Sequence, residues 1–252
     1  MRFGRIRHEG STSYARFEGD RAYLLDRAPW SGGRETGQVV ALHDELLAAP
    51  TLPTKIVAIG RNYRAHAKEL GNDVPTSPLL FLKPPSAVLD PGGSIVRPRA
   101  SSRVEHEAEL AIVIGKRCKH VREADAAAHV FGYTALCDVT ARDLQRADVQ
   151  FTRGKGFDTF CPIGPWIETA LDPTDLAIRA RVDGVVKQEG RTRDMVFPVA
   201  HLVSYVSAVM TLEPGDVIAS GTPEGVGPLV AGNVLEVEIE GIGVLRCSVV
   251  DE

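Results

Sequence analysis

Glu105, Glu107 and Glu109 stand at every second position of the segment RVEHEAELAIVIG, with His106, Ala108 and Leu110 between them. In extended chain, alternate side chains fall on one face, so the spacing predicts three carboxylates side by side. Neighbours on such a face lie about 6.6 Å apart and repel by about 2.5 kcal/mol at an effective dielectric near 20. Either a cation or the water at an exposed edge offsets that repulsion. The run AIVIG that follows is apolar, which anchors the acidic end on a strand entering the core. Carboxylate oxygens select hard ions, Mg²⁺, Mn²⁺ or Ca²⁺, over zinc or copper. Asp138, closing the apolar strand GYTALCD, is a further ligand candidate. Thr140 and Asp143 just beyond it resemble the start of a capped helix.

Two other spacings carry chemistry. His66 and Glu69 are three residues apart in NYRAHAKEL, so on a helix they share a face as a base and its orienting carboxylate. Lys155 lies between glycines in RGKGFD. Those glycines permit close backbone approach to a ligand, and the spacing is not that of a phosphate-binding Walker loop.

These residues need a scaffold, and most of the chain reads as strand. Residues 1 to about 28 give RFGRI, SYARFEG and RAYLLD, separated by turn formers at Gly10 and Gly19-Asp20; PWSGGRETGQ is a loop; VVALHDELLA suits a short amphipathic helix before Pro50 and Pro53. A boundary there divides a small β-rich N-terminal domain, 1–50, from a larger domain, 54–252. In the larger part KIVAIG, PLLFLKPP, AELAIVIG, VFGYTALCD, DVIASG and VLEVEIEGIGVLRCSVV predict strands, and NYRAHAKELG, EADAAAHV, TARDLQRAD and PVAHLVSYVSAVM predict helices. Without regular βα alternation the pattern indicates an α+β, predominantly β fold with a rolled or sandwiched core.

Bulk composition narrows the function. The chain has 252 residues, 44% hydrophobic and 25% charged, with a formal charge of −4, an ordinary globular balance that gives no net attraction to a nucleic-acid backbone. No apolar run is long enough to span a bilayer and no leader pattern is readable, so the expectation is a cytoplasmic protein with neither nucleic-acid nor membrane partners. Cys118, Cys137, Cys161 and Cys247 are far apart and form no zinc or redox motif.

Five ordered blocks, IGRNYRAHAKE (59–69), HEAELAIVIG (106–115), CDVTARDLQ (137–145), RGKGFDTFCPIGPW (153–166) and SGTPEGVGP (220–228), together resemble the fumarylacetoacetate hydrolase family. The likeness is to its short bacterial members related to acylpyruvate hydrolases, oxaloacetate decarboxylases and an isomerase/decarboxylase of aromatic catabolism. It covers residues 54–252 and implies a mixed β-sandwich roll, with residues 1–50 as a small N-terminal appendage. It also implies that Glu107, Glu109 and Asp138 bind Mg²⁺ or Mn²⁺, while Glu105 has no ligand counterpart. Lys155 would hold the substrate carboxylate and stabilise developing negative charge; His66 and Glu69 would activate water; Arg61, Arg142, Gln145 and Thr222 would lie near the substrate. The implied substrate is a short 2-oxo or enol acid, cleaved by hydrolysis or decarboxylation beside the ketone. The alternative is isomerisation of a 2-hydroxyhepta-2,4-diene-1,7-dioate, and a homodimer is implied.

Overall fold

In the computed structural model, which describes residues 1–252, the glycine turns divide the opening stretch into antiparallel strands β1 (Arg2–His8), β2 (Ser11–Glu18) and β3 (Arg21–Leu25). Their alternation turns Ile6, Ala15, Phe17, Ala22 and Leu24 inward, where with Leu47 they form a small core of their own. β4 (Glu35–Ala41) pairs with β3, and β5 (Leu47–Ala48) pairs with β1. The helix expected over VVALHDELLA is therefore absent, apart from a single 3₁₀ turn at Asp44–Leu46. Its apolar positions fit either period, and the open edges of β3 and β1 decide in favour of strand.

The apolar runs of the larger part form β6 (Ile56–Gly60), β7 (Leu79–Lys83), β8 (Val88–Leu89), β9 (Ser94–Arg97), β10 (Val104–His106), β11 (Ala108–Ile114), β12 (Val130–Cys137) and β13 (Thr140–Ala141). After these come β14 (Cys161–Glu168), β15 (Ala177–Val182), β16 (Val185–Arg191), β17 (Val217–Ala219), β18 (Gly227–Pro228), β19 (Val234–Ile239) and β20 (Gly243–Asp251). The largest sheet runs β4-β3-β2-β1-β14-β12-β11-β17-β6-β7, with β5 and β8 attached. β1 pairs with β14 through Arg2 with Glu168 and Phe3 with Ile167, so the N-terminal strands extend the same sheet. A second sheet, β16-β15-β19-β20-β9, packs over β11 and β12. Every residue of β11 is buried, as a strand covered on both faces must be, while β15 and β19 alternate buried with half-buried positions. Parallel pairs β6/β17, β9/β20 and β8/β14 make the architecture mixed. This is the α+β, predominantly β sandwich that the patterning indicated.

Helices are few and short: α1 (Arg64–Glu69), α2 (Arg142–Ala147), α3 (Thr152–Lys155) and α4 (Val199–Val209). EADAAAHV is 3₁₀ and not α. The capped start expected at Thr140 and Asp143 is also different. Thr140 is in β13 and its hydroxyl donates to the Asp138 carbonyl (3.0 Å), while Asp143 binds Ser101 (2.6 Å) and Ser102.

Candidate active site

The acidic strand is not continuous. β10 belongs to a third sheet, β13-β10-β18, and β11 to the largest one, with Glu107 at the junction. That break separates Glu105 from its two neighbours. Pairing of Ala108 with Cys137 continues through a hydrogen bond from the Asp138 N–H to the Glu107 carbonyl (2.9 Å), which sets Asp138 beside Glu107. Carboxylate oxygens of Glu107, Glu109 and Asp138 lie within 4.8 Å of one another. Gln188, on β16, locks the junction: its Oε1 is 3.0 Å from His106 Nδ1 and accepts from the Ala108 N–H (2.9 Å).

Glu105 is buried elsewhere, with Oε2 on Arg142 Nε (2.7 Å) and Oε1 on Arg103. Arg142 is the bridge between acids: its remaining nitrogens donate to Glu107 and to Gln145 Oε1. Guanidinium only donates, so the Gln145 oxygen must face it and the Gln145 amide N–H₂ is turned away. Lys155 Nζ donates to Glu107 Oε2 (2.8 Å) and Asp138 Oδ2 (2.6 Å), and lies 5.0 Å from the Phe81 ring centroid. Gly154 permits this placement, since a Cβ there would come within 2.9 Å of the Gln145 backbone.

Lys83 was not singled out in the sequence. It ends β7, is 1% exposed, and uses its ammonium on Asp138 Oδ1 (2.6 Å), the Lys155 carbonyl (2.6 Å) and the Val139 carbonyl (3.3 Å). A lysine closing the apolar run PLLFLK was the available signal, because such a position points a charge into a core.

Four carboxylates (Glu105, Glu107, Glu109, Asp138) and three cations (Lys83, Arg142, Lys155) are each at most 4% exposed. The acid without a cationic partner is Glu109. Its Oε2 accepts the Gly221 N–H (2.7 Å), while Oε1 has no protein donor. Burial, with Asp138 and Glu107 adding to it, pushes the Glu109 carboxyl well above the ordinary range. Burial would also raise Glu107, but the Lys155 ammonium and Arg142 guanidinium outweigh it and hold Glu107 well below that range. For Lys155, burial disfavours the charge and Asp138 and Glu107 more than restore it, so the lysine is raised. One uncompensated acid, an undonated oxygen and three converging carboxylates fit a hard divalent cation, held by Glu107, Glu109 and Asp138.

The same carboxylates line an open cavity of about 260 Å³ together with Arg61, His66, Arg142, Gln145, Lys155 and Thr222. His66 Nδ1 is 3.2 Å from Glu69 Oε2, and Glu69 Oε1 accepts the Gly225 N–H (3.0 Å). The dyad thus forms on α1 and is held by the loop after β17. Arg61 follows β6 at φ 58° and has no protein partner. Thr222 contributes less than its hydroxyl suggests: Oγ1 donates to the Ala108 carbonyl (2.8 Å) and accepts from Gln188 Nε2 (2.7 Å). What remains for a ligand is its backbone N–H, which has no protein acceptor.

Residues 55–250 match the family model described as fumarylacetoacetate (FAA) hydrolase C-terminal, and residues 1–50 match one described as Rv2993c-like, N-terminal. The chain is 46% identical over 202 residues to oxaloacetate tautomerase FAHD1, mitochondrial, of Arabidopsis thaliana, covering 78% of this chain and 91% of that one. It is 47% identical over 195 residues to oxaloacetate decarboxylase, mitochondrial, of Dictyostelium discoideum, covering 75% and 89%. A crystal structure of 2-hydroxyhepta-2,4-diene-1,7-dioate isomerase from Mycobacterium marinum superimposes with a TM-score of 0.93 at 44% identity, covering 100% of this chain and 99% of that one. The cavity and its carboxylates lie inside the matched stretch, and the chain belongs to the fumarylacetoacetate hydrolase family.

Proposed function

We propose that the protein is a Mg²⁺- or Mn²⁺-dependent enzyme that hydrolyses or decarboxylates a short 2-oxo acid at the C–C bond beside the ketone. The observation that carries this reading is the convergence of Glu107, Glu109 and Asp138 in one cavity with the His66 dyad and Lys155. A divalent ion there supplies Lewis acidity toward the carboxylate and 2-oxo oxygens of the substrate.

The protein groups divide the remaining work. With Nδ1 turned to Glu69, His66 presents Nε2 as the base that takes a proton from water. The water oxygen adds to the distal carbonyl carbon, the C–C bond breaks, and its electron pair passes into the enolate of the keto acid. His66 returns the proton to the enolate carbon, releasing pyruvate and an acid. Lys155 and the free amide of Gln145 are donors for the developing negative charge. Arg142 acts by orienting Gln145 and Glu107. Decarboxylation uses the same enolate stabilisation without the water.

Isomerisation is a second reading, favoured by full-length similarity to the structure of an isomerase. It requires only removal of the proton from the 2-hydroxyl of the enol and its return to a carbon of the conjugated chain, which a His66 base also serves. Assay of metal-depleted and metal-restored protein on acetylpyruvate, fumarylpyruvate and oxaloacetate, scoring pyruvate and CO₂ separately, tests both. Metal-dependent release of either product supports cleavage. An absorbance change with neither product supports isomerisation, and turnover indifferent to metal contradicts both.

A further inference from the structure

Burial orders the cavity from floor to mouth. Glu107, Glu109, Asp138 and Lys155 are buried, Arg61, Leu70, Leu79 and Phe81 are half-buried, and Arg146 is exposed. All three acids of the lining are on the floor, where Lys155 and Arg142 are already bonded to carboxylates. Above the floor the lining has no acid and two guanidinium groups, the half-buried Arg61 and the exposed Arg146, neither of which has a protein acceptor. Leu79, Phe81 and Phe151, half-buried like Arg61, give the cavity an apolar wall. Arg61 is also held at a left-handed φ of 58°, which side chains other than glycine adopt at a cost.

We infer that Arg146, together with Arg61, recognises a second carboxylate at the far end of the substrate, so that Arg146 selects dicarboxylic over monocarboxylic 2-oxo acids. The inference rests on the reading above, which puts the first carboxylate and ketone on the floor. An apolar spacer then runs along Leu79 and Phe81, and the distal anion meets two cations that have no other counter-ion. Arg146 is on α2, one residue after Gln145, so one short helix would contact both ends of the substrate. The planar fork of a guanidinium suits a carboxylate better than an ammonium does.

The test is calorimetric binding of 2-oxoadipate and 2-oxohexanoate, which differ at the distal end, to the Mg²⁺-loaded protein. Wild type should prefer 2-oxoadipate, and Arg146→Ala should lower that preference about 10-fold, the worth of one charge-assisted hydrogen bond, while Arg146→Lys retains part of it. Rising salt should shrink the wild-type preference. In turnover, the kcat/KM ratio of fumarylpyruvate over acetylpyruvate should fall similarly in Arg146→Ala, through KM. Equal wild-type affinity for the two acids, or equal weakening of both in Arg146→Ala, overturns the inference while leaving the proposed function intact. If neither acid binds a protein that does bind Mg²⁺, the proposed function fails and this inference with it.

Discussion

Replacing Glu109 with Gln isolates the charge that the cluster leaves uncompensated. Glu109 is 1% exposed and faces two carboxylates within 4.8 Å. At an effective dielectric near 20, each would repel an ionised Glu109 by about 3.5 kcal/mol, partly offset by Lys155. Protonation limits the damage. Because burial, Asp138 and Glu107 raise the carboxyl well above its ordinary 4.5, the folded chain keeps a proton that the unfolded chain releases. The contribution of this group to metal-free stability is therefore complete below pH 4.5, and it falls by about 1.4 kcal/mol per pH unit above that until the folded carboxyl ionises. The ceiling at pH 7 is about 3.4 kcal/mol. Gln has no proton to lose, and its amide oxygen can still accept from Gly221.

Glu109→Gln in chelator should therefore be more stable than wild type at pH 7, by no more than that ceiling, and should show a raised Tm. Scanning calorimetry across pH in EDTA should show the gap closing as pH falls toward that of an ordinary carboxyl. Adding Mg²⁺ should reverse the order, since only wild type gains the free energy of ion binding. A variant less stable than wild type in EDTA at neutral pH, or a gap that does not change with pH, would refute an uncompensated Glu109 in the cluster.

Lys83→Met removes one of the two buried counter-ions of Asp138, the other being Lys155, and should cost up to about 3 kcal/mol, read as a fall in metal-free Tm, whereas an unchanged Tm would mean that the ion pair is not part of the fold. His66→Asn should lower kcat for acylpyruvate hydrolysis by about 10²- to 10⁴-fold with Mg²⁺ affinity retained, and equal kcat would remove His66 from the chemistry. Residues 64–77, which carry the dyad and the polar turn after it, should behave as a lid, with amide exchange slowed when oxalate and Mg²⁺ are added; exchange equally fast in both states speaks against closure.

The strands were legible because both alternation and the continuous apolar run AIVIG survive into β11. The segment VVALHDELLA was not, because seven apolar residues in ten fit two periods and only the strand edges beside it choose between them. Period-two geometry placed Glu105 with Glu107 and Glu109, yet the change of sheet at Glu107 sends Glu105 to Arg142 and Arg103. Such a break depends on Gln188 and on β13 and β18, distant in sequence, and leaves no local mark in HEAEL. Asp138 was readable as a strand-end acid, but its position beside Glu107 depends on pairing of β11 with β12. Arg142 and Thr222 lie at the cavity as the motifs implied, although their polar atoms are largely engaged by Glu105, Glu107, Gln145, Ala108 and Gln188. Lys83 closes the apolar run PLLFLK, but a lysine there is equally an ordinary solvated strand end until its acceptors are known, and two of the three are backbone carbonyls.

Titration of the chelator-treated protein with Mn²⁺ or Mg²⁺ in a calorimeter bears most directly on whether Glu107, Glu109 and Asp138 form a metal centre. One ion per chain should bind to wild type, and Asp138→Asn should abolish that binding while the chain stays folded by circular dichroism. Absence of ion uptake by wild type, or undiminished uptake by folded Asp138→Asn, would contradict the assignment.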